Sequence, residues 1–99
     1  MTPEINPEIH HDREARRFET RVEGFHCLLD YTLADGVSLC VMTITHTSVA
    51  PEVRGRGVAS ELVQAAMDTA RAEQWKVIPA CSYADVWVAR HPGYHDLRV

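Results

Sequence analysis

His46-Thr47-Ser48-Val49-Ala50-Pro51-Glu52-Val53-Arg54-Gly55-Arg56-Gly57-Val58-Ala59 runs directly into Ser60-Glu61-Leu62-Val63-Gln64-Ala65-Ala66-Met67-Asp68-Thr69-Ala70-Arg71-Ala72-Glu73, and the other segments take their places around it. The second half is rich in strong helix formers, with Ala59, Val63, Ala66 and Ala70 recurring at helical spacing, so a long helix is expected to start at the glycines. The first turn of a helix has N-H groups without intrahelical partners and a partial positive charge, which makes it a natural seat for phosphate. Gly55 and Gly57 let a bulky anion approach the main chain, and Arg54 and Arg56 add formal charge. The stretch reads as an anion cradle.

Three phosphate-binding patterns compete for it. A P-loop needs Lys and then Ser or Thr after its second glycine; Val58-Ala59 stands there instead, which excludes that pattern. A dinucleotide fingerprint fits Gly55 and Gly57, but its third glycine position holds Ser60 and the following strand ends in Cys81 rather than an acid; it stays open as an alternative. The third pattern, Arg/Gln-x-x-Gly-x-Gly/Ala, is met by Arg54, Gly57 and Ala59.

On that third pattern the chain resembles the GNAT acetyltransferase superfamily. Together with His46-Thr47-Ser48-Val49, Pro79-Ala80-Cys81-Ser82-Tyr83 and His91-Pro92-Gly93-Tyr94, it is similar to the short YjdJ-type members over roughly residues 17 to 97. The resemblance implies an acetyl-CoA (coenzyme A) site in which Arg54, Gly55, Arg56, Gly57, Val58 and Ala59 hold the pyrophosphate. It also implies that Ser48 and Val49 bind the pantetheine arm through main chain. One departure stands out: similar proteins usually carry Glu after the His-Pro, where this chain has Gly93, so whatever that acid does is missing here.

Bulk properties agree. A chain of 99 residues, 45% apolar, builds one core. The formal charge of -4 and pI near 5.8, with no basic run, argue against nucleic-acid binding. Its apolar runs fall short of the roughly 18 residues of a membrane span. Three cysteines, Cys27, Cys40 and Cys81, without framework spacing and without a charged-then-apolar leader, predict a reduced, cytoplasmic protein.

In chain order, residues 1 to 15 read as a mobile tail and 16 to 99 as a single domain. Adjacent His10 and His11 lack the convergent third ligand of a metal site. Arg17 to Val22 and Phe25 to Leu33 alternate as two antiparallel strands, with Phe25, Cys27, Leu29, Tyr31 and Leu33 sharing the face beneath the helix. Ala34-Asp35-Gly36 signals a turn into a third, central strand, Val37 to Thr47. After the helix, Trp75 to Cys81 is expected to rejoin the sheet in parallel. Ser82 and Asp85 read as a capping box opening a second helix that runs through Arg90. The expected fold class is thus α+β: an antiparallel three-strand meander, a long helix, a parallel strand and a short C-terminal helix.

Both strands of a β-α-β unit end at the edge that holds the first turn of the helix between them. Cys81 therefore falls on the order of 10 Å from the cradle, at a helix start that favours its thiolate. It is the leading catalytic candidate, as an acyl-carrying nucleophile or an acid-base group; as a lesser role it would line the acyl pocket. His46, ahead of the cradle, fits a general base or a structural strand-end histidine. Tyr83 fits a donor to the departing thiolate, a role the resemblance implies. Cys27, Cys40 and His26 read as strand-face residues, and His91 and His95 as packing rather than a metal pair.

The expected function is acetyl transfer to an amine, with a CoA-binding module that does not catalyse transfer as the alternative. A monomer or weak homodimer is expected, and the sequence does not name the acceptor.

Overall fold

The computed structural model describes residues 8 to 36 and 39 to 99. Its strands are β1 (His10–Asp12), β2 (Arg17–Val22), β3 (Phe25–Asp35), β4 (Cys40–Ser48) and β5 (Lys76–Pro79), with helices α1 (Val58–Glu73) and α2 (Ser82–Ala89) and 3-10 turns at Pro51–Val53 and Pro92–Leu97. The five strands lie side by side in chain order. β1 to β4 are antiparallel neighbours, and β5 joins β4 in parallel across α1. This is the expected mixed α+β architecture with one added strand.

One face of the sheet carries the core. Cys27, Leu29 and Tyr31 of β3, Met42 and Ile44 of β4 and Val77 of β5 are buried against Leu62, Val63, Ala66, Met67 and Ala70 of α1. Burying a Leu or Met side chain contributes on the order of 2 kcal/mol, so this seam dominates the fold. Phe25, at the end of the face, escapes the helix and is 37% exposed, and Leu33 at the other end is half-buried. On the opposite face Thr32, Thr45 and Ile78 are exposed and Val41 and Thr43 only half-buried, so β4 is an interior strand, next to the edge strand β5 rather than central, and is not covered on both sides.

The N-terminal tail expected over residues 1 to 15 does not hold for its second half. His10–Asp12 pairs with β2, His11 stacks on Phe18 at 4.1 Å between ring centroids, and His11 Nε2 lies 2.6 Å from the Tyr31 hydroxyl. A three-residue polar strand shows no alternation, and the backbone ladder and one aromatic stack hold it in place. The rest of the expected tail, residues 1 to 7, lies outside the described residues, as do Val37 and Ser38 at the expected start of β4.

Two irregularities shape the site. Tyr31 pairs with Ile44 and Asp30 with His46, so Thr45 is an extra residue in β4. Such a bulge bends the strand and sharpens its twist. The parallel ladder with β5 stops at the same place, at Ile44 and Pro79, followed only by the Cys81 amide donating to Ile44 O at 3.0 Å. Beyond Ile44, β4 continues without a strand on its β5 side and splays away.

Candidate functional site at the splayed strand and the α1 N-terminus

Gly57 is the N-cap of α1 at φ 79°, and Gly55 has φ 83°, both in the left-handed region that side chains rarely adopt. A Cβ at either position would meet no atom within 4 Å, so close packing is not what requires glycine here. No side chain caps the first turn, and the first helical bond is Glu61 N donating to Gly57 O at 3.0 Å. The amides of the opening turn thus face an open hollow of about 250 Å³ lined by Val49, Val53, Arg54, Gly55, Gly57, Val58, Ala59 and Tyr83.

A second hollow of about 440 Å³ continues along the splayed strand, lined by His46, Thr47, Ser48, Val49, Arg54, Ala59 and Tyr83. The two share Val49, Arg54, Ala59 and Tyr83 and form one trench. Its walls are the unpaired edge of β4, the glycine loop and the first turn of α2. Of the residues singled out from the sequence, the structure brings Ser48, Val49, Arg54, Gly55, Gly57, Val58, Ala59, His46 and Tyr83 to this trench.

Arg56 turns away from it. Its Nη1 sits 2.6 Å from Glu23 Oε2 in the β2–β3 turn, an exposed pair that fastens the loop to the sheet. Such pairs contribute little, about 0 to 1 kcal/mol. Arg54 is in no ion pair among the described residues and supplies the formal charge at the trench.

Cys81 stands just behind the trench wall, with Thr47 and Tyr83 on the lining side. It is the N-cap of α2, one residue earlier than the expected capping box; Asp85 spends its carboxylate on Arg98 at 2.6 Å instead of capping. Cys81 Sγ lies 3.7 Å from Thr47 Oγ1, the thiol donating; a hydroxyl rotates, so it donates in turn once the sulfur ionises. Burial pushes the thiol up, but the Ala84 amide, the Thr47 hydroxyl and the Tyr83 and Thr47 main chain outweigh it, so Cys81 ionises below its ordinary value. No amide makes a cap bond to the neutral thiol, a weak acceptor; their pull acts on the thiolate. Cys40 moves the other way, raised by burial and by Asp35, and Cys27 is fully buried.

His46 does not reach Cys81. The pleat after the bulge places Thr47 opposite the core residue Leu29 and His46 opposite Asp30, so His46 is exposed at the rim. The C-terminal histidines serve α2: His91 Nδ1 donates to Trp87 O at 2.6 Å and His95 Nε2 to Val88 O at 2.9 Å, satisfying carbonyls at the helix end. No group of three His, Cys, Asp or Glu residues fit to hold a metal occurs among the described residues. No helix of the described residues is long and apolar enough to cross a membrane.

Two features went unread in the sequence. Thr47 as the sulfur's partner follows from the β4–β5 register, which no local pattern gives. Trp87 Nε1 donating to Ser60 Oγ at 2.8 Å, which ties α2 to the first turn of α1, joins residues 27 apart with no sequence signal.

Known proteins match this arrangement. The family described as GCN5-related N-acetyl-transferase matches residues 17–97. The protein NATD1 of Xenopus tropicalis is 34% identical over 92 residues, covering 93% of this chain and 84% of its own, and human NATD1 is 33% identical over 84 residues, covering 85% and 74%. The solution structure of a GCN5-like protein from Staphylococcus aureus superposes with a TM-score of 0.70 at 26% identity, covering 96% of this chain and 90% of that one. A ribosomal-protein-alanine N-acetyltransferase from Brucella melitensis shares the fold alone, with a TM-score of 0.52 at 18% identity over 75% of this chain and 59% of that one. From the glycine loop through the parallel strand to the closing turn, the chain belongs to the GCN5-related N-acetyltransferase family.

Proposed function

We propose that this protein transfers an acetyl group from acetyl-CoA to an amine. The observation that carries the reading is the continuous trench from the uncapped first turn of α1 to the free edge of β4, with the Cys81 sulfur behind its wall. The residues suit the ligand. A diphosphate needs converging N-H donors, room and one cation, and the amides of residues 55 to 59, two open glycines and Arg54 provide them. An amide-bearing arm needs main-chain partners, and β4 at Ser48 and Val49 has no strand on that side.

Bound acetyl-CoA supplies the thioester whose carbonyl the amine attacks. The chain's own groups then manage protons. Tyr83, whose ring lies along the trench, is placed to protonate the departing thiolate, and His46 at the rim to take a proton from the incoming amine. Cys81, with its ionisation favoured by Thr47, either carries the acetyl group first or exchanges protons near the thioester. Net charge of -4 favours cationic acceptors. A reducing, cytoplasmic setting suits the three free cysteines.

CoA release from acetyl-CoA, measured with and without a panel of polyamines, peptide N-termini and lysine peptides, tests the proposal. Acceptor-dependent release well above hydrolysis is expected. Binding without turnover across the panel would leave a CoA-binding module, which the β2–β3 connection favours: Glu23 and Gly24 form a bare turn, with no helix to build an acceptor pocket. Intact mass after acetyl-CoA incubation separates the two routes; an acetyl adduct lost in Cys81→Ser marks transfer through sulfur.

A further inference from the structure

An acceptor needs a seat of its own, and the sheet itself offers one. Away from α1 opens a hollow of about 500 Å³, larger than either part of the trench, lined by Glu8, His10, Glu19, Thr20, Arg21 and His26. Phe18, Thr20 and Val22 of β2 and Cys27 and Leu29 of β3 are buried on the core side, so the alternating Glu19, Arg21, His26 and Leu28 stand on the other face. The Thr20 hydroxyl donates to Glu8 O at 2.9 Å and fastens the outer rim to β2.

The ladder registers connect this hollow to the trench. His10, Glu19, Leu28 and Ser48 lie side by side across four strands. At about 4.8 Å per strand, Glu19 is about 10 Å from Ser48, with half-buried Leu28 as the floor between them. Glu19 leans toward β4: its Oε1 meets His26 Nε2 of β3 at 2.8 Å. Asp30, the acid opposite His46, is held by Arg17 at 2.7 Å, whereas Glu19 has only that imidazole. Arg21 follows two residues along the same face, about 7 Å from Glu19. Unlike Arg13, Arg17, Arg56, Arg71 and Arg98, it is in no ion pair among the described residues.

Resting on the acetyl-transfer reading, we propose that the acceptor is a free basic α-amino acid of lysine's length, with its head group in this hollow. Arg21 takes the α-carboxylate and Glu19 the α-ammonium. One guanidinium beside one carboxylate matches a zwitterionic head, and a four-carbon stem laid over Leu28 brings the terminal amine to Ser48 and His46 at the rim. That amine, once its ammonium has given a proton to water, adds through its lone pair to the thioester carbonyl carbon. The C–N bond forms and the C–S bond breaks; His46 accepts the second proton of the amine, and the CoA thiolate takes one from Tyr83. The products are the Nε-acetyl amino acid and CoA. Arg21 and Glu19 are specificity-determining residues and move no proton.

Initial rates with L-lysine, with cadaverine, which lacks the carboxylate, and with ε-aminocaproate, which lacks the α-ammonium, test this in wild type, Arg21→Gln and Glu19→Gln, alongside calorimetric titration with acetyl-CoA. Wild type is expected to favour lysine over either analogue about tenfold in kcat/KM, the size of one charge-assisted contact, and to place the acetyl group on the terminal nitrogen. Arg21→Gln should bring lysine down to the value for cadaverine and leave cadaverine alone. Glu19→Gln should bring it down to the value for ε-aminocaproate, both through KM with kcat kept. Equal wild-type rates on the three amines, acetyl on the α-nitrogen, losses shared by all three, or turnover of other amines alone overturn the head-group seat while acetyl transfer stands. Failure to bind acetyl-CoA, or to acetylate any amine, overturns the reading on which it rests.

Discussion

The two ends of α1 are finished in opposite ways. At the C-terminus Gln74 turns left-handed at φ 62°, Trp75 N donates back to Ala70 O at 2.8 Å, Arg71 grips Asp96 and the Gly93 carbonyl, and the Tyr94 hydroxyl donates to Asp68 at 2.6 Å. The turn after the added strand β1 reaches the same end, where Arg13 meets Glu73 at 2.9 Å. At the N-terminus nothing caps the first turn and both glycines face open space. Main-chain amides close the last carbonyls of α1 and two other segments brace that end, whereas the opening N-H donors of the first turn stay open to solvent or to a ligand.

Breaking the bare end should have the largest effect. Gly57→Val forces a β-branched side chain into left-handed backbone, at a cost of about 1–2 kcal/mol, and puts bulk over the amides. Acetyl-CoA affinity by thermal shift or calorimetry should fall at least about thirtyfold, the equivalent of roughly 2 kcal/mol. Unchanged affinity would mean the first turn is not the phosphate seat.

Breaking the closed end should alter stability and leave binding alone. Tyr94→Phe removes the bond to Asp68 and should lower stability by about 0.5–1 kcal/mol, seen as a fall of several degrees in Tm, with acetyl-CoA affinity within twofold. A matching loss of affinity would mean the two ends are coupled.

These contrasts mark how far the sequence could be read. The meander, α1, the parallel β5 and the glycine loop were legible because each shows as periodicity or as a residue type demanded by backbone shape. β1 was not, since His10-His11-Asp12 owes its place to pairing and to Phe18 and Tyr31. Arg56 looked like a cradle cation until Glu23, 33 residues away in sequence, took it. Cys81 was placed at the right sheet edge by topology alone, but its N-cap position and Thr47 partner needed the register set by the bulge.

A subtler comparison concerns the thiols. Cys81 ionises below its ordinary value and Cys40 above it, so alkylation of Cys81 should begin at lower pH. Thr47→Val should move the Cys81 profile to higher pH, because the hydroxyl stabilises the thiolate. Peptide-resolved mass spectrometry across a pH series reads both; a profile that Thr47→Val leaves in place would detach the hydroxyl from the sulfur.

The smallest effect belongs to β1. Burial first, then Arg13, holds His11 below its ordinary 6.5, so it favours the neutral form when folded. A group depressed by folding gives stability that is complete above its unfolded value and is lost as pH falls through the folded one. The urea midpoint should therefore drop more between pH 7 and pH 5 in wild type than in His11→Gln, and equal drops would show that His11 is indifferent to folding.

The central claim, that the open first turn of α1 and the free edge of β4 hold acetyl-CoA, is tested most directly by following backbone amide resonances during titration with CoA. The largest shifts should fall on residues 55 to 60 and 47 to 49, with residues 70 to 75 at the closed end of the same helix unmoved. Shifts centred elsewhere, or none at saturating CoA, would contradict it.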